Sequence, residues 1–86
     1  MKIIKKDGRI QEFDKNKITT SISNAASGYS LTESDLKMVV EDIIKLLNKI
    51  RKDETPTSSY EIIGVITDVL VQDGFKLVLK EYIAHE

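Results

Sequence analysis

The apolar positions of this chain change period after residue 13. Before it, isoleucines and one phenylalanine alternate with lysines and acids in two short runs, 2–6 and 9–13, on either side of Asp7-Gly8. Such runs joined by Asp-Gly read as a β-hairpin, because a two-residue type I′ turn needs positive φ at both central positions. That turn pairs Lys6 with Arg9, Lys5 with Ile10 and Ile4 with Gln11. Alternation then puts Ile3, Lys5 and Ile10 on one face and Ile4 and Phe13 on the other. An isolated hairpin is marginal in water, so it has to pack on the rest of the chain.

From residue 14 onward the spacing is helical. Asp14 is placed to cap KNKITTSISNAA, in which Ile18, Ile22, Ala25 and Ala26 form one stripe before Gly28 ends the element. The run TTSISN has poor helix propensity, so packing must hold it. Thr32 and Asp35 make a weaker form of the capping box for a second helix over 33–52. Leu36, Val39, Val40, Ile43, Ile44, Leu47 and Ile50 line its core face, and Lys49, Arg51 and Lys52 complement the dipole at its end. DETPTSS, with the sole proline Pro56, is a loop. Ser58 and Ser59 compete to cap a third helix, Ser58 with Glu61 forming a capping box. Ile62, Ile63, Ile66, Val69 and Leu70 face inward there, Gly64 costs about 1 kcal/mol relative to Ala, and Asp73-Gly74 stops the helix. Phe75, Val78, Leu79, Tyr82 and Ile83 predict a short fourth helix. The expected class is α+β and mostly helical: a hairpin, then four helices.

Composition narrows the function. Eighty-six residues, 41% hydrophobic and 31% charged, make one ordinary domain, 1–86. No apolar run reaches the roughly 18 residues of a membrane span, and no secretory signal is visible. Lack of cysteine removes disulfides, thiolate metal sites and cysteine nucleophiles, and fits a cytoplasmic protein. The only histidine is His85, so neither histidine catalysis nor a multi-histidine metal site is available. A binding or regulatory module is expected, not an enzyme. The end at His85-Glu86, uncapped and without a tail, reads like a domain cut from a longer chain.

Charge is unevenly spread. The first 17 residues hold six cations against three carboxylates, whereas the remainder holds seven against eleven. No glycine-rich phosphate loop is present, so a phosphate ligand would be held by side-chain cations and helix N-termini. The plain alternative is that Lys2, Lys5, Lys6 and Arg9 guard an exposed sheet edge.

The stretch I-I-K-K-D-G-R-I-Q-E-F-D-K-N-K-I resembles the start of the ATP-cone, the nucleotide-binding regulatory domain at the N-terminus of many ribonucleotide reductases. Ser59-Tyr60-Glu61-Ile62 and Tyr82-Ile83 match its later landmarks, so the likeness spans the whole chain. The resemblance implies a β-hairpin layer packed on a four-helix bundle, with ATP or dATP, and Mg²⁺, between them. It places Ile3 near the base, Lys5 and Lys6 at the nucleotide, Asp14 near the base, Lys17 near the phosphates and Ile18 as apolar wall. Ser59 and Ile62 approach from the third helix. Gln11 stands where the family usually has Glu; it keeps an acceptor for the adenine amino group and loses the charge. A cation the family often has at the end of the fourth helix is replaced by His85-Glu86. Lys2, Arg9 and Lys15 are left as solvated charges, Tyr29, Tyr60 and Tyr82 as packing or rim residues, and His85 as uninvolved.

The function implied is allosteric: control of activity or oligomeric state in a ribonucleotide reductase, the anaerobic type being favoured. Its partners would be adenine nucleotide, a reductase catalytic domain or subunit, and a second copy in a homo-oligomer. Two alternatives stand beside it: a degenerate cone serving as a protein docking module, and the nucleotide-sensing part of a transcriptional regulator. A related repressor family joins this domain to a zinc ribbon, which needs four cysteines that these residues lack. That lack and a pI near 5.8 argue against direct nucleic-acid binding.

Overall fold

Two strands open the chain, β1 (Lys2–Ile4) and β2 (Ile10–Glu12), and α1 (Lys15–Ala25) and α2 (Glu33–Ile50) come after them. A two-residue strand, β3 (Thr57–Ser58), runs directly into α3 (Ser59–Gln72), and α4 (Lys76–Ala84) comes last. The computed structural model describes residues 2–29, 31–50 and 56–84. Among the described residues the class is α+β as expected, with four helices and a sheet of three strands rather than a two-stranded hairpin alone.

The hairpin is closed differently from the Asp-Gly reading. Lys5 N–H donates to Arg9 C=O at 2.7 Å and Gly8 N–H to Lys5 C=O at 2.9 Å, so the loop is the three residues Lys6, Asp7 and Gly8. Only Gly8, at φ 88°, takes a left-handed conformation there, whereas a type I′ turn would also require it of Asp7. The pairing becomes Ile4 with Ile10, Ile3 with Gln11 and Lys2 with Glu12, one residue from the expected register. Such a slip exchanges faces. Ile3 is buried and Phe13 packs against the core, while Ile4 and Ile10 are exposed, Ile10 at 62%. Gln11 therefore joins Ile3 on the inner face. We expect Ile10→Thr to change stability by less than about 0.5 kcal/mol and Ile3→Thr to cost about 2 kcal/mol, as read by urea denaturation. Equal costs would restore the two-residue turn.

The third strand had no sequence signal, being two residues inside a Ser/Thr stretch. It pairs parallel to β1, Ile3 with Thr57 and Ile4 with Ser58, so the order is β2-β1-β3. β1 is thus the central strand, and Lys2 on it does not guard an edge. The pairing also fixes the start of α3 beside the hairpin.

The helices start at their caps. Asp14 accepts from Asn16 N–H at 2.9 Å, Thr32 Oγ1 from Asp35 N–H at 3.0 Å, and Ser58 Oγ from Glu61 N–H at 3.0 Å. α2 packs on α1 and α3, and α4 packs on the same two helices. Ile22, Ile43, Leu47, Ile66 and Leu70 are fully buried at the centre, and Val65 joins them unpredicted. Ile50 and Ile83, expected inside, are about half exposed, each in the last turn of its helix. Arg51 and Lys52 at the expected end of α2, and His85-Glu86, lie outside the described residues.

Asp73 caps the C-terminus of α3, and its Oδ2 is buried. Burial, and then Asp42 of α2 beside it, push its carboxyl above the usual range. The folded chain therefore holds this proton more tightly than the unfolded chain does. Stability contributed here is present at acid pH and falls as pH rises above the ordinary carboxylate value toward the raised one. Asp73→Asn is expected to raise the melting temperature at pH 7 and to leave it unchanged near pH 3.

Candidate functional site

A cleft of about 390 Å³ opens between the hairpin, α1 and the start of α3, with Tyr82 of α4 also lining it. That is within the size range of small-ligand sites. Ile3, Lys5, Lys6, Gln11, Asp14, Lys17, Ile18, Ser59 and Ile62 all line it, so the structure brings the nine predicted residues to one place. Phe13, Ser21, Ile63, Ile66, Asp7, Glu12 and Arg9 line it as well.

Each side chain arrives there for a local reason. The register pairs Ile3 with Gln11 on the inner face, and the three-residue loop carries Lys6 and Arg9 to the cleft. Lys17 and Ser21 are one helical turn apart on α1, and Ile18 is buried beside them. β3 delivers Ser59 and Ile62 from the opposite wall. Ser58, not Ser59, takes the cap of α3. That leaves the Ser59 Oγ buried with no partner among the described residues. A buried hydroxyl in that state costs free energy unless something in the cleft bonds to it.

Four cations line the cleft, Lys5, Lys6, Arg9 and Lys17, beside three carboxylates, Asp7, Glu12 and Asp14, and the Lys6 ammonium lies 5.6 Å from the centre of the Tyr60 ring. Arg9, expected to be a solvated charge, is exposed and also lines the cleft. Lys2 and Lys15 do not line the cleft. Lys2 pairs with Glu12, whose carboxyl it holds below the usual range, first through the hydrogen bond and then through its charge. Tyr82 is buried and lines the cleft, whereas Tyr60 and Tyr29 are exposed and do not line it. Ile3, Ile18, Ile62 and Ile66 supply apolar lining suited to a flat heteroaromatic ring, and Gln11 and Asp14 line the same cleft as hydrogen-bonding groups. Among the described residues no cluster of three or more His, Asp or Glu could hold a metal by itself, and no helix is long and apolar enough to cross a membrane.

The family model described as the ATP cone domain matches residues 1–86. Curated relatives named transcriptional repressor NrdR are similar to the chain. The one from Anaplasma phagocytophilum (strain HZ) is 34% identical over 73 residues, covering 83% of this chain and 46% of that protein. That from Anaplasma marginale (strain Florida) is 31% identical over 83 residues, covering 96% and 51%. That from Fervidobacterium nodosum is 36% identical over 62 residues, covering 72% and 39%. The chain spans about half the length, or less, of the relatives it matches.

These names correct two expectations. The relatives are repressors and not reductases, so a ribonucleotide reductase as parent chain, and its catalytic domain or subunit as partner, do not hold. Nor does the expectation that nucleic acid is no partner, because repressors of transcription are what the chain resembles. The physical reason is one of scope. A pI and a cysteine count taken over 86 residues say nothing of a protein about twice as long. That the relatives are regulators and not enzymes agrees with the regulatory reading.

Proposed function

Because the chain belongs to the ATP-cone family, we propose that it is the adenine-nucleotide-sensing domain of a cytoplasmic transcriptional repressor, with ATP or dATP as its effector. The observation that carries the proposal is the cleft itself. One small volume is lined by four cations, by an apolar wall and by Ser59, whose buried hydroxyl has no partner among the described residues. A triphosphate brings about four negative charges, for which charge-assisted bonds from lysines are the natural partners. In this reading Lys5, Lys6 and Lys17 hold the phosphates. Ile3, Ile18 and Ile62 enclose the base, and Gln11 and Asp14 read its amino edge. Ser59 bonds the nucleotide from α3. Mg²⁺ would take mostly phosphate and water oxygens and need no protein cage.

Regulation is then a population shift. A nucleotide that spans hairpin, α1 and α3 favours the arrangement in which these three walls have their closed spacing, and only differential affinity for that arrangement can change how the whole repressor engages DNA. Calorimetric titration with ATP, dATP and GTP, each with and without Mg²⁺, tests the proposal. Micromolar binding of ATP or dATP with GTP much weaker is the expected result. At a hundredfold excess over Kd, such binding adds about 2.7 kcal/mol to stability, which in a domain this size raises the melting temperature by roughly 10–20 °C. No heat and no thermal shift at millimolar nucleotide would leave a cone that only docks on other proteins.

A further inference from the structure

Arg9 is not accounted for by the resemblance or by the reading of lysines as phosphate ligands, and its surroundings are unusually ordered for an exposed cation. Its backbone N–H donates to Asp7 Oδ1 at 3.1 Å and its Nε–H to Asp7 Oδ2 at 2.7 Å. One carboxylate thus grips both the main chain and the side chain of a residue two positions on. Gly8, at φ 88°, is what turns the backbone enough for both bonds to form. The grip takes one of the five guanidinium donors and leaves the terminal Nη groups without a partner among the described residues. They sit at a cleft that also holds Lys5, Lys6 and Lys17.

Burial separates these groups. Ile3 and Ile18 are buried, Lys5 is half-buried, and Lys6, Arg9 and Lys17 are exposed, the Arg9 side chain at 70%; of the exposed three only Arg9 carries a guanidinium, and it is held in place by Asp7. A ligand that lays its ring on the buried apolar wall directs its phosphates outward, so the last phosphate of the chain meets the exposed cations. Resting on the nucleotide-sensing reading above, we infer that Arg9 is the ligand of the terminal phosphate, with Asp7 as the positioning residue that pre-sets its fork. A guanidinium held this way offers two parallel N–H donors to one phosphate, which an ammonium cannot do. The site therefore counts phosphates: Arg9 contributes to the binding of a triphosphate and contributes little to that of a monophosphate. The plain competitor is an exposed ion pair that stiffens a turn, and such pairs contribute little to stability.

Calorimetric titration of the 86-residue chain and its Arg9→Gln and Arg9→Lys variants with ATP, AMP and inorganic tripolyphosphate separates the two. Arg9→Gln is expected to weaken ATP and tripolyphosphate at least tenfold and AMP less than twofold, at an unchanged melting temperature. Arg9→Lys is expected to recover only part of the loss. Unchanged ATP affinity in Arg9→Gln, or an equal loss for ATP and AMP, overturns the assignment while leaving the nucleotide-sensing reading in place. Tripolyphosphate binding that depends on Arg9, in a chain that does not prefer ATP to GTP, keeps the phosphate subsite and overturns the adenine reading instead. Failure of the unaltered chain to bind ATP or tripolyphosphate overturns both.

Discussion

Replacing Lys5 and Lys17 together by alanine is expected to weaken triphosphate binding by about 3 kcal/mol, a loss of roughly a hundredfold, from the usual strength of charge-assisted hydrogen bonds. The two lysines reach the cleft from different elements, Lys5 from the end of β1 and Lys17 from α1. Neither is buried, neither makes an ion pair among the described residues, and neither belongs to the core. The melting temperature without nucleotide should therefore stay within a few degrees of the parent chain. The two single variants should each lose part of the affinity, and their sum need not equal the double, because both act on one ligand. Affinity unchanged in the double variant would place the phosphates elsewhere and would sink the proposed orientation of the nucleotide. A collapse of the fold would show that these lysines hold the hairpin against α1.

The largest effect on stability is expected from Ile22→Ala. Ile22 is fully buried in α1, in the core formed with α2 and α4. Removing a buried isoleucine side chain costs about 3 kcal/mol, lost transfer energy and the cavity together. For a domain of this size that is a fall of roughly 12–24 °C in melting temperature. α1 has little intrinsic helicity through TTSISN, so no local preference compensates for the lost contact. The same helix carries Asp14 at its cap and Lys17, Ile18 and Ser21 on its cleft face, so nucleotide should recover part of the loss by mass action. A fall of only a few degrees would mean that α1 is not packed as described.

The helices were legible because each carries two independent signals. Asp14 before the stripe of Ile18 and Ile22, Thr32 with Asp35 before Val39 and Ile43, and Ser58 with Glu61 before Ile62 and Ile66 all combine a cap with a 3.6-residue period. The predicted site residues were legible through a different route, the likeness of the opening stretch to the ATP-cone, and the structure brings all nine to one cleft. Their roles toward a nucleotide are what the titrations test. Arg9, Ser21, Phe13, Ile63 and Ile66 were not picked out, since nothing local separates an arginine on a solvated turn from one that lines a cleft.

The class, the hairpin followed by four helices, the helix starts and the family were legible in the sequence alone. These rest on short-range facts: side-chain periodicity, capping chemistry and a run of residues read in line. Only the tertiary structure decided the register of the hairpin, the existence of β3 and which serine is left unpartnered. Asp7-Gly8 is compatible with a two- or a three-residue loop, and the two loops put opposite faces inward. The choice goes to the loop that buries Ile3 and Phe13 together and pairs Ile3 with Thr57, a partner far along the chain. Local sequence carries no record of that pairing, because its free energy belongs to neither strand until both are in place.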